Sequence, residues 1–397
     1  MKIAIDLQGA QSSSRSRGIG RYSAALARAI AANPGGHEIH LLLNTDFPEA
    51  AAEIRQEFKD LVPRHRIHTF RSPLPGGEKD AGYGPVNQAA EIIREYALAL
   101  IEPDFVLVAS LFEGYYDKAV TSIGSLAPGL KTAVVLYDLI PLEHPEKYLA
   151  DRADGDHYRR KIEFLRRADL LLAISENSRR EAVGKLGIGR EKIRTISAAA
   201  DSIFKPLNPS LPEAEGFLER YGGRQNFVLC ATGGFDRRKN LETLIEAYSK
   251  LPVELRNRHQ LVISGMKDSE TCAKLRQMAS SKGLDDNALI FTGYVPEDEM
   301  PLLYNLACLT VCPSLAEGFG LPVLESISCG TPVIASDIPS ISEILDRPPA
   351  RFDPHSSASL TECMERHLRD EDRRETLRQY GLERSRDFSW EKVAAEA

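Results

Sequence analysis

Residues 226–234, NFVLCATGG, restart a pattern that the first half of the chain has already run through. An apolar run closes on two glycines, and the amphipathic stretch NLETLIEAY (240–248) follows it. HQLVISG (259–265), ALIFTGY (288–294), LTVCPS (309–314) and PVIASD (332–337) carry the pattern on. Upstream, KIAID (2–6), EIHLLLN (38–44), FVLVAS (105–110), TAVVLYD (132–138) and LLLAIS (170–175) form the earlier series. Such short runs, rich in Val, Ile and Leu and bounded by turn residues, read as strands buried on both faces of a parallel sheet. Between them lie helical stretches such as RYSAALARAIAAN (21–33) and NQAAEIIREYALALI (87–101). Two βαβ series predict an α/β protein of two doubly wound domains. Pro206, Pro209 and Pro212 in KPLNPSLPEAEG (205–216) fix an extended connection, which sets the expected boundary near residue 205. Ligands bind at the carboxyl ends of such strands, so the expected site is a cleft that the two domains face.

Composition narrows the function. A chain of 397 residues has room for two domains at roughly 100–200 residues each. Hydrophobic residues at 43% and charged residues at 27% are ordinary globular usage and exclude disordered and fibrous classes. Fifty Lys and Arg against 57 Asp and Glu leave a net charge of −7, which argues against a dedicated nucleic-acid binder. The apolar runs fall short of the ~18–20 residues of a membrane-spanning helix. MKIAIDLQG opens as a strand, without the apolar core of a signal peptide, so a cytoplasmic protein is expected. All six cysteines lie in the second half. Cys308 and Cys312 have three residues between them and no matching pair, so buried thiols in a reducing compartment are expected rather than a zinc site.

Three clusters could carry chemistry. In PSLAEGFGLPVLESISCGTPVIAS (313–336), Gly318, Gly320 and Pro322 separate Glu317 from Glu325. A helix is expected to begin near Pro322, leaving Glu317 on a loop and Glu325 in or near the first turn. The backbone N–H groups of Gly318, Phe319, Gly320 and Leu321 would then face an anion or oxygen between them. The two carboxylates either hold hydroxyls of an extended ligand or are solvated. In CATGGFDRRKNLETLIEAY (230–248), Arg237, Arg238, Lys239 and Asn240 open a helix. Cations there are unfavourable unless an anion such as a diphosphate binds; the alternative is a solvated basic turn. In IDLQGAQSSSRSRGIGRYSAALARAI (5–30), Gly18 and Gly20 lie in a loop and Arg21 and Tyr22 open the next helix. The third glycine of a dinucleotide fingerprint is missing, so a phosphate- or substrate-covering loop is expected instead. No GxxxxGK[ST] occurs, which excludes a P-loop NTPase. Asp138 and Glu113, at strand ends, read either as caps or as active-site carboxylates, and the nine histidines show no metal spacing.

Taken together, EGFGLPVLE (317–325), CGTPVIAS (329–336), GGFDRRKN (233–240), FTGYVPEDEMPLLYNLA (291–307) and ISENSRREA (174–182) resemble, in order and spacing, family 4 of the retaining glycosyltransferases. The resemblance covers nearly the whole chain and implies the GT-B fold, two Rossmann-like domains facing a cleft. It implies an acceptor-binding domain over 1–204, on which 380–397 pack back, and a donor-binding domain over 205–379. By the same resemblance Glu317 touches the transferred sugar and Glu325 the ribose. Arg238 and Lys239 neutralise the diphosphate and its leaving charge, and Gly318 to Leu321 offer N–H groups. Tyr294 and Val295 cradle the base, while Gly18, Gly20 and Arg21 close on the diphosphate and acceptor. Many relatives carry His where this chain has Tyr137, which moves the expected sugar or acceptor contact to Asp138; Glu113 joins the acceptor side.

The implied chemistry is metal-free hexosyl transfer with retention, with no cofactor beyond the nucleotide sugar. The opening IDLQGAQ…RGIGRYS and YDLIPL are similar to bacterial enzymes of surface-polysaccharide and O-antigen synthesis, often mannosyltransferases that use GDP-mannose; UDP-sugars are the alternative. The implied acceptor is a glycan or lipid-linked oligosaccharide, with peripheral contact to the inner membrane or to other polysaccharide-assembly proteins. RRKIEFLRR (159–167) either touches anionic lipid or is an ordinary helix with a solvated face. A two-lobed sugar-binding protein without catalysis is the competing class. The chain stops soon after FSWEKVAAEA, so the crossing helix that usually ends the family is short, or the polypeptide is longer.

Overall fold

The structure, a computed structural model, describes residues 1–126, 129–265 and 269–397. It divides into one compact unit of Met1–Ala198 with Trp390–Ala397, and a second of Ala199–Ser389. Each is a parallel sheet wrapped by helices.

In the first unit the strands are β1 (Lys2–Asp6), β2 (Glu38–Asn44), β3 (Ile67–Phe70), β4 (Phe105–Val108), β5 (Thr132–Leu136), β6 (Leu170–Ala173) and β7 (Ile193–Thr195). Their order is β3-β2-β1-β4-β5-β6-β7, with Ile3 of β1 in register with Ile39 on one side and Phe105 on the other. The second unit holds β8 (Phe227–Ala231), β9 (Gln260–Ser264), β10 (Leu289–Gly293), β11 (Leu309–Cys312), β12 (Val333–Ser336) and β13 (Arg351–Phe352), in the order β10-β9-β8-β11-β12-β13. The chain winds outward from a central strand, returns, and winds out the other way; this is the doubly wound α/β arrangement expected. The predicted strands all form. Three more appear, β3, β7 and β13, and each is a sheet edge.

Apolar side chains of both faces close the cores. Val106, Val108, Val134 and Leu171 pack with Leu98, Ile162 and Leu165 of the covering helices in the first unit. Val228, Ile263 and Val311 pack with Leu244, Tyr248 and Leu275 in the second. Helix Pro85–Ala99 is unusual in turning its charges inward: Glu91, Arg94 and Glu95 are buried, whereas Ile92, Ile93 and Tyr96 are exposed. Arg94 Nε donates to Asp6 Oδ2 at 2.7 Å, and its Nη1 donates to the Ser122 carbonyl at 3.0 Å.

The proline segment is laid on the second unit. Phe204 is buried in a core cluster with Phe217 and Tyr304, Leu207 N donates to Asn305 Oδ1 at 2.8 Å, and Asn305 Nδ2 donates to the Lys205 carbonyl at 3.0 Å. The change of unit therefore falls at Ala198–Ala199, before the prolines. At the other end, helix Glu371–Ser385 belongs to the second unit, and it is helix Trp390–Glu396 that returns to the first. Trp390 meets Tyr22 edge-on, with ring centroids 5.2 Å apart.

The basic stretch 159–167 sits in helix Arg152–Arg167 and is engaged largely within the protein. Arg159 pairs with Asp156 at 2.8 Å, Arg160 pairs with Glu78, and Lys161 Nζ donates to the Thr121 carbonyl at 2.7 Å. Arg167 Nη1 donates to the Ile123 carbonyl at 3.1 Å. No helix among the described residues is long and apolar enough to cross a membrane.

Candidate functional site

Strand order reverses between β8 and β11, the place where doubly wound sheets bind ligands. β8 runs out into Thr232–Lys239 and β11 into Pro313–Gly320, so two clusters distant in sequence come together there. Lys239 Nζ donates to Glu317 Oε1 at 2.6 Å, and Arg238 Nη1 to Glu317 Oε2 at 2.9 Å. Ser314 Oγ adds a third hydrogen bond to Oε1 at 2.6 Å. Lys239 and Glu317 are 8% and 9% exposed, so this is a nearly buried charge cluster. Burial alone would raise the Glu317 pKa; Lys239 and Arg238 outweigh it and bring the carboxyl down to about 2. Glu317 is therefore an anion that accepts hydrogen bonds and has no proton to give near neutral pH.

The local backbone explains the placement. Arg237–Lys239 form a single 3-10 turn rather than the start of the long helix; Asp236 Oδ1 caps it by accepting from Arg238 N at 2.8 Å. Asn240, in the left-handed region at φ 57°, then redirects the chain into helix Leu241–Ser249. Its Nδ2 ties this bend to the Pro313 carbonyl at 3.0 Å. A Cβ on Gly233 or Gly234 would meet nothing within 4 Å, so the turn before the cations faces open space. An open glycine turn beside a buried lysine and a half-buried arginine is the chemistry of an anion site.

On the β11 side, Gly320 adopts φ 116° and ψ 42° as the N-cap of helix Leu321–Ser328. Side chains rarely adopt that φ, so the position calls for glycine. Glu325 falls one residue beyond the first turn, is buried, and accepts from the Tyr304 hydroxyl at 2.9 Å. Gly318 and Leu321 stand on the loop and helix start as expected, but the Phe319 ring turns into the protein against Phe388, at 5.8 Å between centroids. Tyr294 is 62% exposed just past β10, whereas Val295 is buried in the core with Phe204 and Tyr304. The Tyr294 ring is available to a ligand, and the Val295 side chain is not.

The first unit has its own reversal between β1 and β4. Gly18 and Gly20 lie in the first turn of helix Gly18–Ala32, not in the loop before it. The reason is packing: a Cβ on Gly20 would sit 2.4 Å from the Ser14 carbonyl oxygen and 2.5 Å from Arg15 Cα. Arg21 occupies the same turn, and its N–H donates to the Arg17 carbonyl at 3.0 Å. Glu113 is buried, with its carboxylate held by Ser12, Ser14 and Ser110. Asp138 lies just beyond β5, where its Oδ1 accepts from Ile140 N at 3.1 Å and so caps the turn. Tyr137 points inward: its hydroxyl donates to the Ala109 carbonyl at 2.9 Å and contacts Ser23 Oγ at 2.9 Å. Two partners escaped the sequence reading, Ser314 for Glu317 and Tyr304 for Glu325. Both sit inside quoted motifs, but nothing in the spacing reveals which hydroxyl meets which carboxylate.

Among the described residues no group of three or more His, Cys, Asp or Glu is placed to hold a metal ion. None of the six cysteines is joined in a disulfide.

Residues 16–202 match a family profile described as Glycosyltransferase Family 4, and residues 222–384 one described as Glycosyl transferases group 1. A serotype-specific mannosyltransferase WbdA of Escherichia coli is 35% identical over 395 residues, which is 99% of this chain and 47% of that protein. The chain thus spans about half the length of the WbdA relatives it matches. O-antigen chain mannosyltransferase B of Escherichia coli is 29% identical over 378 residues, covering 94% of this chain and 93% of its own. Among solved structures, sucrose-phosphate synthase from Thermosynechococcus elongatus superposes with a TM-score of 0.71 at 20% identity, covering 100% of this chain and 96% of that one. Anabaena HepE in complex with UDP and glucose also gives 0.71, at 17% identity, covering 100% and 97%.

Proposed function

Because the chain belongs to glycosyltransferase family 4, with the GT-B fold, we propose that it moves mannose from GDP-mannose to a glycan acceptor with retention of configuration. The observation that carries this reading is the Lys239–Arg238–Glu317 cluster beside the open Gly233–Gly234 turn. Mannosyltransferase relatives of O-antigen synthesis support the sugar, and a lipid-linked oligosaccharide is the proposed acceptor.

In this reading Arg238, Lys239 and the Gly233–Gly234 backbone receive the diphosphate. As the bond from the sugar's anomeric carbon to the phosphate oxygen breaks, negative charge grows on that oxygen. Cations already held in place lower the barrier without reorganising. The acceptor oxygen bonds to the anomeric carbon on the same face, and its proton passes to the departing phosphate. Glu317, ionised and pinned by two cations, is suited to accept hydrogen bonds from sugar hydroxyls. It is a poor nucleophile and has no proton to donate. Glu325, oriented by Tyr304, takes the ribose hydroxyls, and the exposed Tyr294 ring lies against the base. In the first unit Arg21 and Asp138 face the acceptor. No step calls for a metal ion.

The test is the product. With GDP-mannose and a mannose-terminated glycan, GDP and an α-linked mannoside are expected in equal amounts, unchanged by excess EDTA. A β-linked product would refute retention, a strict Mg²⁺ requirement would refute metal independence, and sugar binding without any turnover would favour a binding protein.

A further inference from the structure

The loop between β1 and helix Gly18–Ala32 carries three consecutive serines, Ser12, Ser13 and Ser14, and all three are tied to one segment that follows β4. Glu113 Oε2 accepts from Ser12 Oγ at 2.7 Å and from Ser14 Oγ at 3.0 Å, while Oε1 accepts from Ser110 Oγ at 2.7 Å. Ser13 N donates to Asp117 Oδ2 at 2.6 Å. The Ser14 carbonyl in turn accepts from Arg17 N at 2.8 Å and Gly20 N at 3.2 Å, and Gly20 has no Cβ to keep that carbonyl away. A continuous chain of contacts therefore runs from the Glu113 carboxylate through Ser14 to the first turn of the helix.

Glu113 is 4% exposed, and its hydrogen-bond partners are hydroxyls rather than cations. A buried carboxylate without a counter-charge is costly, and a neutral side chain of similar shape would serve the core better. Its oxygens accept hydrogen bonds from three hydroxyls on two separate segments, which an apolar side chain in this place cannot do. Burial raises its pKa, and the serine hydroxyls pull it only part of the way back.

We propose that Glu113 is a positioning residue: it latches the serine loop and thereby sets the helix start at Gly18–Arg21 for the diphosphate and acceptor. The inference rests on the transferase reading for what that helix start does, but not for the latch itself. It also moves Glu113 from direct contact with the acceptor to action through Ser12 and Ser14.

The experiment compares the parent chain with Glu113→Leu, which removes both acceptor oxygens, and with the double variant Ser12→Ala/Ser14→Ala, which cuts the latch from the other side. Hydrogen–deuterium exchange without substrate reads the loop. Amides of residues 13–20 are expected to exchange about tenfold faster in both variants, the effect of losing one to two net hydrogen bonds, while the β-strand amides keep their rates. Steady-state kinetics with GDP-mannose read the consequence: kcat falls in both variants by similar factors, with the donor KM changed less. Unchanged loop exchange in both variants would overturn the latch. Faster exchange with parental kinetics would overturn the positioning role. A parent chain that turns over no nucleotide sugar would count against the proposed function instead, and the exchange result would still decide the latch.

Discussion

Lys239→Met is expected to lower the transfer rate by about 10²–10³-fold, the loss that follows removal of one preorganised group facing developing charge. The same substitution leaves Glu317 buried with Arg238 and Ser314 as its remaining partners, so the fold should lose stability as well, by about 3 kcal/mol. These two losses have different cures. In Lys239→Met/Glu317→Gln both members of the 2.6 Å pair are neutral, and most of the stability should return because the charge that remains, on Arg238, is partly exposed to solvent. The rate should not return, because the cation proposed to face the leaving phosphate is still absent. Thermal unfolding and initial rates on the parent chain and the two variants separate the cases. If the double variant recovers both, the pair is a structural ion pair and the site lies elsewhere.

Arg94→Met is expected to be the most damaging change away from that site. Arg94 is 1% exposed, and its Nη2 lies 2.5 Å from Asp6 Oδ2, itself fully buried. Removing one partner of such a pair strands the other charge at a cost of about 3–5 kcal/mol. For a unit of this size that corresponds to a melting temperature lower by about 6–20 °C. Asp6 also receives Gln8 N at 3.2 Å, and Gln8 Oε1 accepts from Val120 N at 2.8 Å, so the damage should spread into the loop at the end of β1. Asp6→Asn/Arg94→Met removes both charges and should recover much of the loss. A single variant that melts within a degree or two of the parent would show that the pair contributes little.

The architecture was legible because parallel strands covered on both faces leave a plain mark: KIAID, TAVVLYD and NFVLCATGG are apolar without interruption. The three strands that escaped notice sit at sheet edges. IHTF, IRT and RF are short, and all three carry polar or charged residues because one flank meets solvent. Helix Pro85–Ala99 was legible as a helix, but not in its facing, since pattern alone assigns charge to the outside. Its inward Glu91, Arg94 and Glu95 answer polar groups such as Asp6, Ser122 and Ser125, which lie elsewhere in the sequence.

The candidate site was legible to the level of motifs. Arg238, Lys239 and Glu317 stand some eighty residues apart, and their meeting follows from β8 and β11 being neighbours at the reversal of strand order. What the sequence could not convey was pairing. A carboxylate read as a ligand contact can equally hold its own loop, as Glu113 does with three serines, or cap its own turn, as Asp138 does at Ile140. Tyr137 makes the same point: its ring enters the core against Tyr22, with centroids 5.4 Å apart, and its hydroxyl fastens the end of β4 to helix Gly18–Ala32.

The cluster at the ends of β8 and β11 is proposed to receive the diphosphate of GDP-mannose. A thermal-shift panel of GDP, UDP, ADP and their sugar conjugates on the parent chain and on Lys239→Met tests it most directly. A ligand at about 100 times its dissociation constant adds about 2.7 kcal/mol to stability, which such a scan resolves. GDP and GDP-mannose should stabilise the parent chain, and the shift should largely vanish in Lys239→Met. Stabilisation by UDP compounds alone would contradict the mannosyl donor. An undiminished shift in Lys239→Met would contradict the site.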